Sequence, residues 1–144
     1  MRWTEFLDTT DRLSQGSTEG DWRSAVSRAY YAAFHYFREF FLSNGLDIGR
    51  SAQSHFNLYT GLLSCGIASV TGFGTRVDDL RDRRVWADYE LMKTLDQPTA
   101  ISHARQARKL IADFQALLQN IGPAQIVAGA RQHLQAIGRL GKTP

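Results

Sequence analysis

Cysteine occurs once in the 144 residues, at Cys65, so no intrachain disulfide can form and no Cys-based zinc site can be assembled. Long apolar runs are missing too, and no stretch approaches the ~20 residues that a membrane span requires. The opening Met1-Arg2-Trp3-Thr4-Glu5 has no apolar run of the signal-peptide kind. These absences set the expectation of a cytoplasmic protein with no membrane partner. The four histidines, His35, His55, His103 and His133, show neither His-x-x-x-His nor Glu-x-x-His spacing, so no metal and no cofactor is expected. Ser64-Cys65-Gly66 has no base beside it in sequence, and Gly72-Phe73-Gly74 lacks the strand that precedes a phosphate-binding loop.

What is present suits one folded domain. Hydrophobic residues make up 43% and charged residues 22%, a balance that excludes wholesale disorder. Residues 1–121 hold 14 Lys+Arg against 14 Asp+Glu, whereas residues 122–144 hold Arg131, Arg139 and Lys142 with no acid. The net charge of +3 therefore sits in a short basic tail, suited either to an acidic partner or to solvent.

With only three prolines, and with apolar residues recurring at three and four rather than alternating, the pattern predicts an all-α fold. Helices are expected over Trp3–Leu13, Trp22–Ser43 with Asp21 as its N-cap, Ala52–Leu63, Val77–Leu95, and from Thr99 to about Ile121. Asn44-Gly45 supplies a stop for the second. The stretch from Gly66 to Gly74 reads as a loop. A sixth helix over Ala124–Leu140, weakened by Gly129 and Gly138, reads as an appendage on the bundle or on a partner. Domain boundaries follow: a helical body over residues 1–121 and a basic extension over residues 122–144.

Two helices carry the informative residues. On the second, Trp22, Val26, Ala29, Ala33, Phe37 and Phe40 form an apolar stripe. Ser24, Arg28, Tyr31, His35 and Arg38 recur on another side, a strip that can hold phosphate oxygens and stack a base, or else be a solvated face with Glu39 beside His35. On the fourth, Leu80, Ala87, Leu91 and Leu95 mark a buried stripe with Arg84 in its middle. A guanidinium stays charged and is costly to bury alone, so Arg84 needs Asp88, an acid on another helix, or a phosphate from outside. Arg81 and Asp88 flank the same side, while Asp82 and Arg83 point away.

The run Asp21-Trp22-Arg23-Ser24-Ala25-Val26-Ser27-Arg28-Ala29-Tyr30-Tyr31-Ala32-Ala33-Phe34-His35 resembles the second-helix signature of HEPN-domain proteins, closest to their small uncharacterised prokaryotic branch. His55 and the element formed by Arg84, Ala87, Asp88 and Tyr89 resemble the same branch. The resemblance spans roughly residues 1–120.

It implies an antiparallel up-and-down bundle of four to five helices that pairs as a homodimer. Many such proteins are RNA-cleaving toxins or defence effectors, often encoded beside a nucleotidyltransferase-type antitoxin. In those that cleave, an Arg is followed four to six residues later by a His, at a cleft in the dimer interface. The His transfers protons and the Arg steadies phosphate charge without a metal. If Ala87-Asp88-Tyr89 aligns with the His-Asp-Tyr of those that cleave, Ala87 stands at the His position, and the cleavage pair is incomplete unless His35 or His55 substitutes beside Arg84. In some such proteins the Tyr that closes this element is nucleotidylated by the paired antitoxin, so Tyr89 is either such a target or a half-buried aromatic whose hydroxyl meets a neighbouring helix.

Three functions follow as expectations. The first is a dimeric module of a toxin–antitoxin or defence system, binding RNA, nucleotide or a partner protein through Arg28, Tyr31, Arg38, Arg81, Arg84, Asp88 and Tyr89. The second is a ribonuclease using Arg84 with His35 or His55. The third is a structural subunit of a larger defence complex.

Overall fold

The computed structural model describes residues 1–140, and the protein is all-α, with no strand among the described residues. Six helices follow in order: α1 (Trp3–Ser14), α2 (Glu19–Ser43), α3 (Gln53–Leu63), α4 (Ala68–Tyr89), α5 (Gln97–Leu117) and α6 (Pro123–Ala136). None of them is long and apolar enough to cross a membrane. Contacts divide the chain into two compact units, one of residues 1–36 with 77–113 and one of residues 37–76 with 114 onward.

In the first unit, Ala25 and Val26 of α2, Ala87 of α4, Leu95 and Ala100 of α5 form a buried apolar cluster, with Leu13, Trp22 and Trp86 packed against it. The start of α2 lies earlier than the sequence pattern predicts. Thr18, not Asp21, caps it: the Asp21 amide donates to Thr18 Oγ1 at 3.1 Å, which satisfies one of the open first-turn donors. The Trp22 indole N–H donates to Gly16 O at 2.9 Å and fixes the turn from α1.

Helix α4 is shifted as a whole relative to the expected Val77–Leu95. It begins at Ala68 and ends at Tyr89, so most of the glycine-bearing stretch expected as a loop is helical. A methyl group on Gly74 would sit 2.6 Å from Leu63 N and 2.8 Å from Tyr59 O, so this glycine permits close approach of α4 to the α3 backbone in the second unit. At the other end, Arg23 collects carbonyls that the helix leaves open. Its Nη1 donates to Ala87 O at 2.7 Å, and its Nη2 to Glu90 O at 3.1 Å and to Lys93 O. Glu19 holds Arg23 Nε at 2.9 Å and accepts from the Leu95 amide at 3.0 Å. Those two bonds hold the Glu19 carboxyl below its ordinary range. The chain thus turns at Tyr89, which leaves Leu91 outside the buried stripe, 72% exposed, and returns Leu95 to the core.

In the second unit, α2 ends at Asn44-Gly45 as expected, with Gly45 at φ +85° and Leu46 N donating to Phe41 O at 2.9 Å. Phe114 lies edge-on to Phe37, Phe40 and Phe73 at 4.8–5.2 Å. Helix α6 packs on α3 and buries Ile126, Val127, Ala130 and Leu134. Gly129, read from sequence as a weak point, sits so near Cys65 that a methyl there would overlap the Cys65 carbonyl. Two of the three tail cations are engaged: Arg131 Nη2 donates to Gly45 O at 2.6 Å, and Arg139 Nη1 donates to Gln53 Oε1 at 2.9 Å while lying over the Phe56 ring. Lys142 lies outside the described residues.

Candidate functional site

Five residues singled out on α2 and α4 come together in the first unit. Arg28, Tyr31 and His35 fall at three- and four-residue steps on α2, and so share a face. Helix α4 brings Arg84 and Asp88 to that face, and α1 adds Phe6. The Tyr31 ring is shared by two guanidinium groups, Arg28 at 4.9 Å and Arg84 at 5.5 Å from its centroid. Arg28 also lies 5.7 Å from the Phe6 centroid, and Arg84 lies 5.9 Å from that of Tyr30. The rings continue the cluster: His35 packs against Phe6 at 4.8 Å and against Tyr31 at 6.2 Å.

The polar contacts of the two arginines are long. Arg84 Nη1 meets Asp88 Oδ2 at 3.5 Å, and the same carboxylate oxygen accepts from Ser27 Oγ at 3.3 Å. Arg28 Nη2 reaches Ser27 Oγ at 3.5 Å. The Arg84 side chain is only 15% exposed, and its Nε has no hydrogen-bond partner among the described residues. An unpaired buried donor costs about 1–3 kcal/mol. Cation–π contact offsets part of this, at about 1–2 kcal/mol. Both carriers of positive charge therefore face aromatic surface with incomplete hydrogen bonding, an arrangement suited to an anion.

Tyr30, fully buried below, is held above its ordinary pKa by burial, against the pull of Arg81 and Arg84. It stays a neutral phenol. Arg81 pairs with Asp78 at 3.5 Å at the edge of this region. Tyr89 is the last residue of α4 and is 72% exposed, rather than half-buried against a neighbouring helix.

The remaining candidates lie elsewhere. Arg38 belongs to the second unit, where its Nε donates to Gly49 O at 3.2 Å. His55 sits half-buried on α3, also in the second unit. Ala87 is 1% exposed within the apolar cluster, so this position faces the core and not the arginine cluster. Among the described residues, no three His, Cys, Asp or Glu side chains converge as metal ligands do.

Sequence reading passed over Ser27 and Phe6, which complete the cluster. Ser27 adjoins Arg28 and was legible as a hydroxyl next to the basic strip. Phe6 carries no such signal, because its contact with Arg28 joins two different helices, α1 and α2, and no spacing within one helix records it. Comparison with protein-family models, with curated proteins and with solved structures gave no match for this chain.

Proposed function

We propose that this chain is a HEPN-type module of a prokaryotic toxin–antitoxin or defence system that binds single-stranded RNA through Arg28, Tyr31 and Arg84. The observation that carries the reading is the Tyr31 ring flanked by two guanidinium groups, one of them with a buried, unpaired Nε. Guanidinium groups take phosphate oxygens in pairs. An aromatic ring beside them gives a base a stacking surface without demanding a sequence. Asp88 supplies the provisional partner of Arg84, and its 3.5 Å contact is long enough to yield to a phosphate.

The reading is tested by fluorescence anisotropy with a labelled single-stranded RNA. Arg84→Met and Tyr31→Leu are each expected to weaken binding by roughly tenfold, since a base stack or a charged hydrogen bond contributes about 1–3 kcal/mol. Unchanged affinity in both variants would overturn it.

His35, in ring contact with Tyr31 and Phe6, favours a second reading in which the same site cleaves RNA, with His35 moving the proton and Arg84 steadying the phosphate. Incubation of total tRNA with EDTA separates the two. Cleavage lost in His35→Ala supports the ribonuclease, and intact RNA with the wild-type protein rejects it.

The homodimer belongs to the same proposal, and the outward Leu91 and Met92 offer it apolar surface, exposed by 72% and 98%. A nucleotidyltransferase-type antitoxin is the partner proposed for the exposed Tyr89.

A further inference from the structure

A second cavity lies in the first unit, between the C-terminal half of α4 and the start of α5, and shares no residue with the arginine cluster. It measures about 130 Å³, and Val26, Trp86 and Leu95 are its apolar lining. Arg83, Asp96 and His103 supply the polar side, and the cavity opens along α5 into a wider groove past Arg83.

The three polar groups differ in what they offer. His103 is only 6% exposed. Its Nδ1 lies 2.7 Å from Thr99 O, one turn back on its own helix. A carbonyl only accepts, so Nδ1 carries the hydrogen and Nε2 is left as a lone pair, with no partner among the described residues. Burial and the nearby Arg83 guanidinium hold the imidazole below its ordinary pKa, which keeps that lone pair available. Asp96 accepts the Thr99 amide through Oδ1 at 2.9 Å and caps α5. Hydrogen bonds from Thr99 hold it below the ordinary carboxylate range, so it stays charged with acceptor capacity to spare. Asp96 and Arg83 are both exposed, unlike His103.

One anion, one cation, one neutral acceptor on a mostly buried side chain and an apolar wall line the same space. From this arrangement we infer a binding site for a zwitterion with an apolar side group, the chemistry of a free α-amino acid such as leucine. The ammonium donates to Asp96 and to His103 Nε2, the carboxylate meets Arg83, and the side group lies against Val26, Trp86 and Leu95. The volume agrees, since a cavity of about 150 Å³ holds a benzene-sized group. A simple anion would be repelled by Asp96 and leave Nε2 without a donor. A simple cation would be repelled by Arg83.

The test is titration of the full chain with L-leucine, with 4-methylpentanoate, which lacks the ammonium, and with 3-methylbutylamine, which lacks the carboxylate. Binding is read from the Trp86 and His103 ring resonances. L-leucine is expected to bind at least roughly tenfold more tightly than either analogue, the equivalent of one 1.4 kcal/mol contact. Arg83→Ala should remove the preference over 3-methylbutylamine, and Asp96→Asn should weaken the preference over 4-methylpentanoate. Both variants preserve the fold, because Arg83 is exposed and asparagine caps a helix as well as aspartate does. Equal binding of all three compounds, no binding of leucine, or a preference unchanged in both variants would overturn the inference.

Discussion

Two buried arginines illustrate how similar side chains serve opposite purposes. Arg23 donates to Glu19 and to three carbonyls beyond and within the end of α4, whereas Arg84 has one 3.5 Å contact and an unpaired Nε. Arg23→Met should therefore destabilise the protein by about 2–3 kcal/mol in urea unfolding, because it orphans buried carbonyls. Arg84→Met should stay within about 1 kcal/mol of wild type or exceed it, since an apolar chain of similar length removes a buried unpaired donor and leaves Asp88, a third exposed, to water. A large loss from Arg84→Met would make it a structural residue. His103 adds a pH dependence of known sign. Its folded pKa lies below the ordinary 6.5, so its contribution is fully present above that value. It is lost as pH falls from there towards the folded value, because the unfolded chain takes up the proton first. Urea midpoints at neutral and acid pH should diverge more for wild type than for His103→Gln, and equal divergence would count against a neutral buried imidazole.

At the scale of the helix, glycine decides where α4 and α6 go. Gly129 meets the Cys65 carbonyl, while Gly72, in the helical body of α4, has nothing within 4 Å of where a methyl would sit. Gly129→Ala is expected to destabilise by about 2 kcal/mol, through overpacking against backbone. Gly72→Ala should stabilise by about 0.5–1 kcal/mol, by restricting the unfolded chain. Thermal unfolding of the pair checks both signs. The same residues explain what was legible in the sequence. The stripes of α2 and α5 show through because Val26, Ala29, Phe37, Ala104, Leu110 and Phe114 are buried at helical spacing. Helix α4 was misplaced because a glycine that allows close packing has the same letter as one that ends a helix. Its far end was misread because the Arg23 carbonyl contacts join residues 64 to 70 positions apart, which no local pattern records. Arg84 was legible for a simpler reason: a charge between Leu80 and Ala87 breaks an apolar stripe.

For the molecule as a whole, the arginine cluster and the outward apolar residues make separate demands. If Leu91 and Met92 form the homodimer contact, sedimentation velocity should show a dimer that Leu91→Asp with Met92→Asp converts to monomer. A monomeric wild type would remove the dimer from the account and leave RNA binding by a single chain. The RNA claim itself is tested most directly by salt. Two guanidinium groups on two phosphates of a single strand should give a slope of log affinity against log salt of about −1.4. Arg84→Met should reduce that slope to about −0.7. A wild-type slope near zero, or one that Arg84→Met leaves unchanged, would contradict phosphate binding at this cluster.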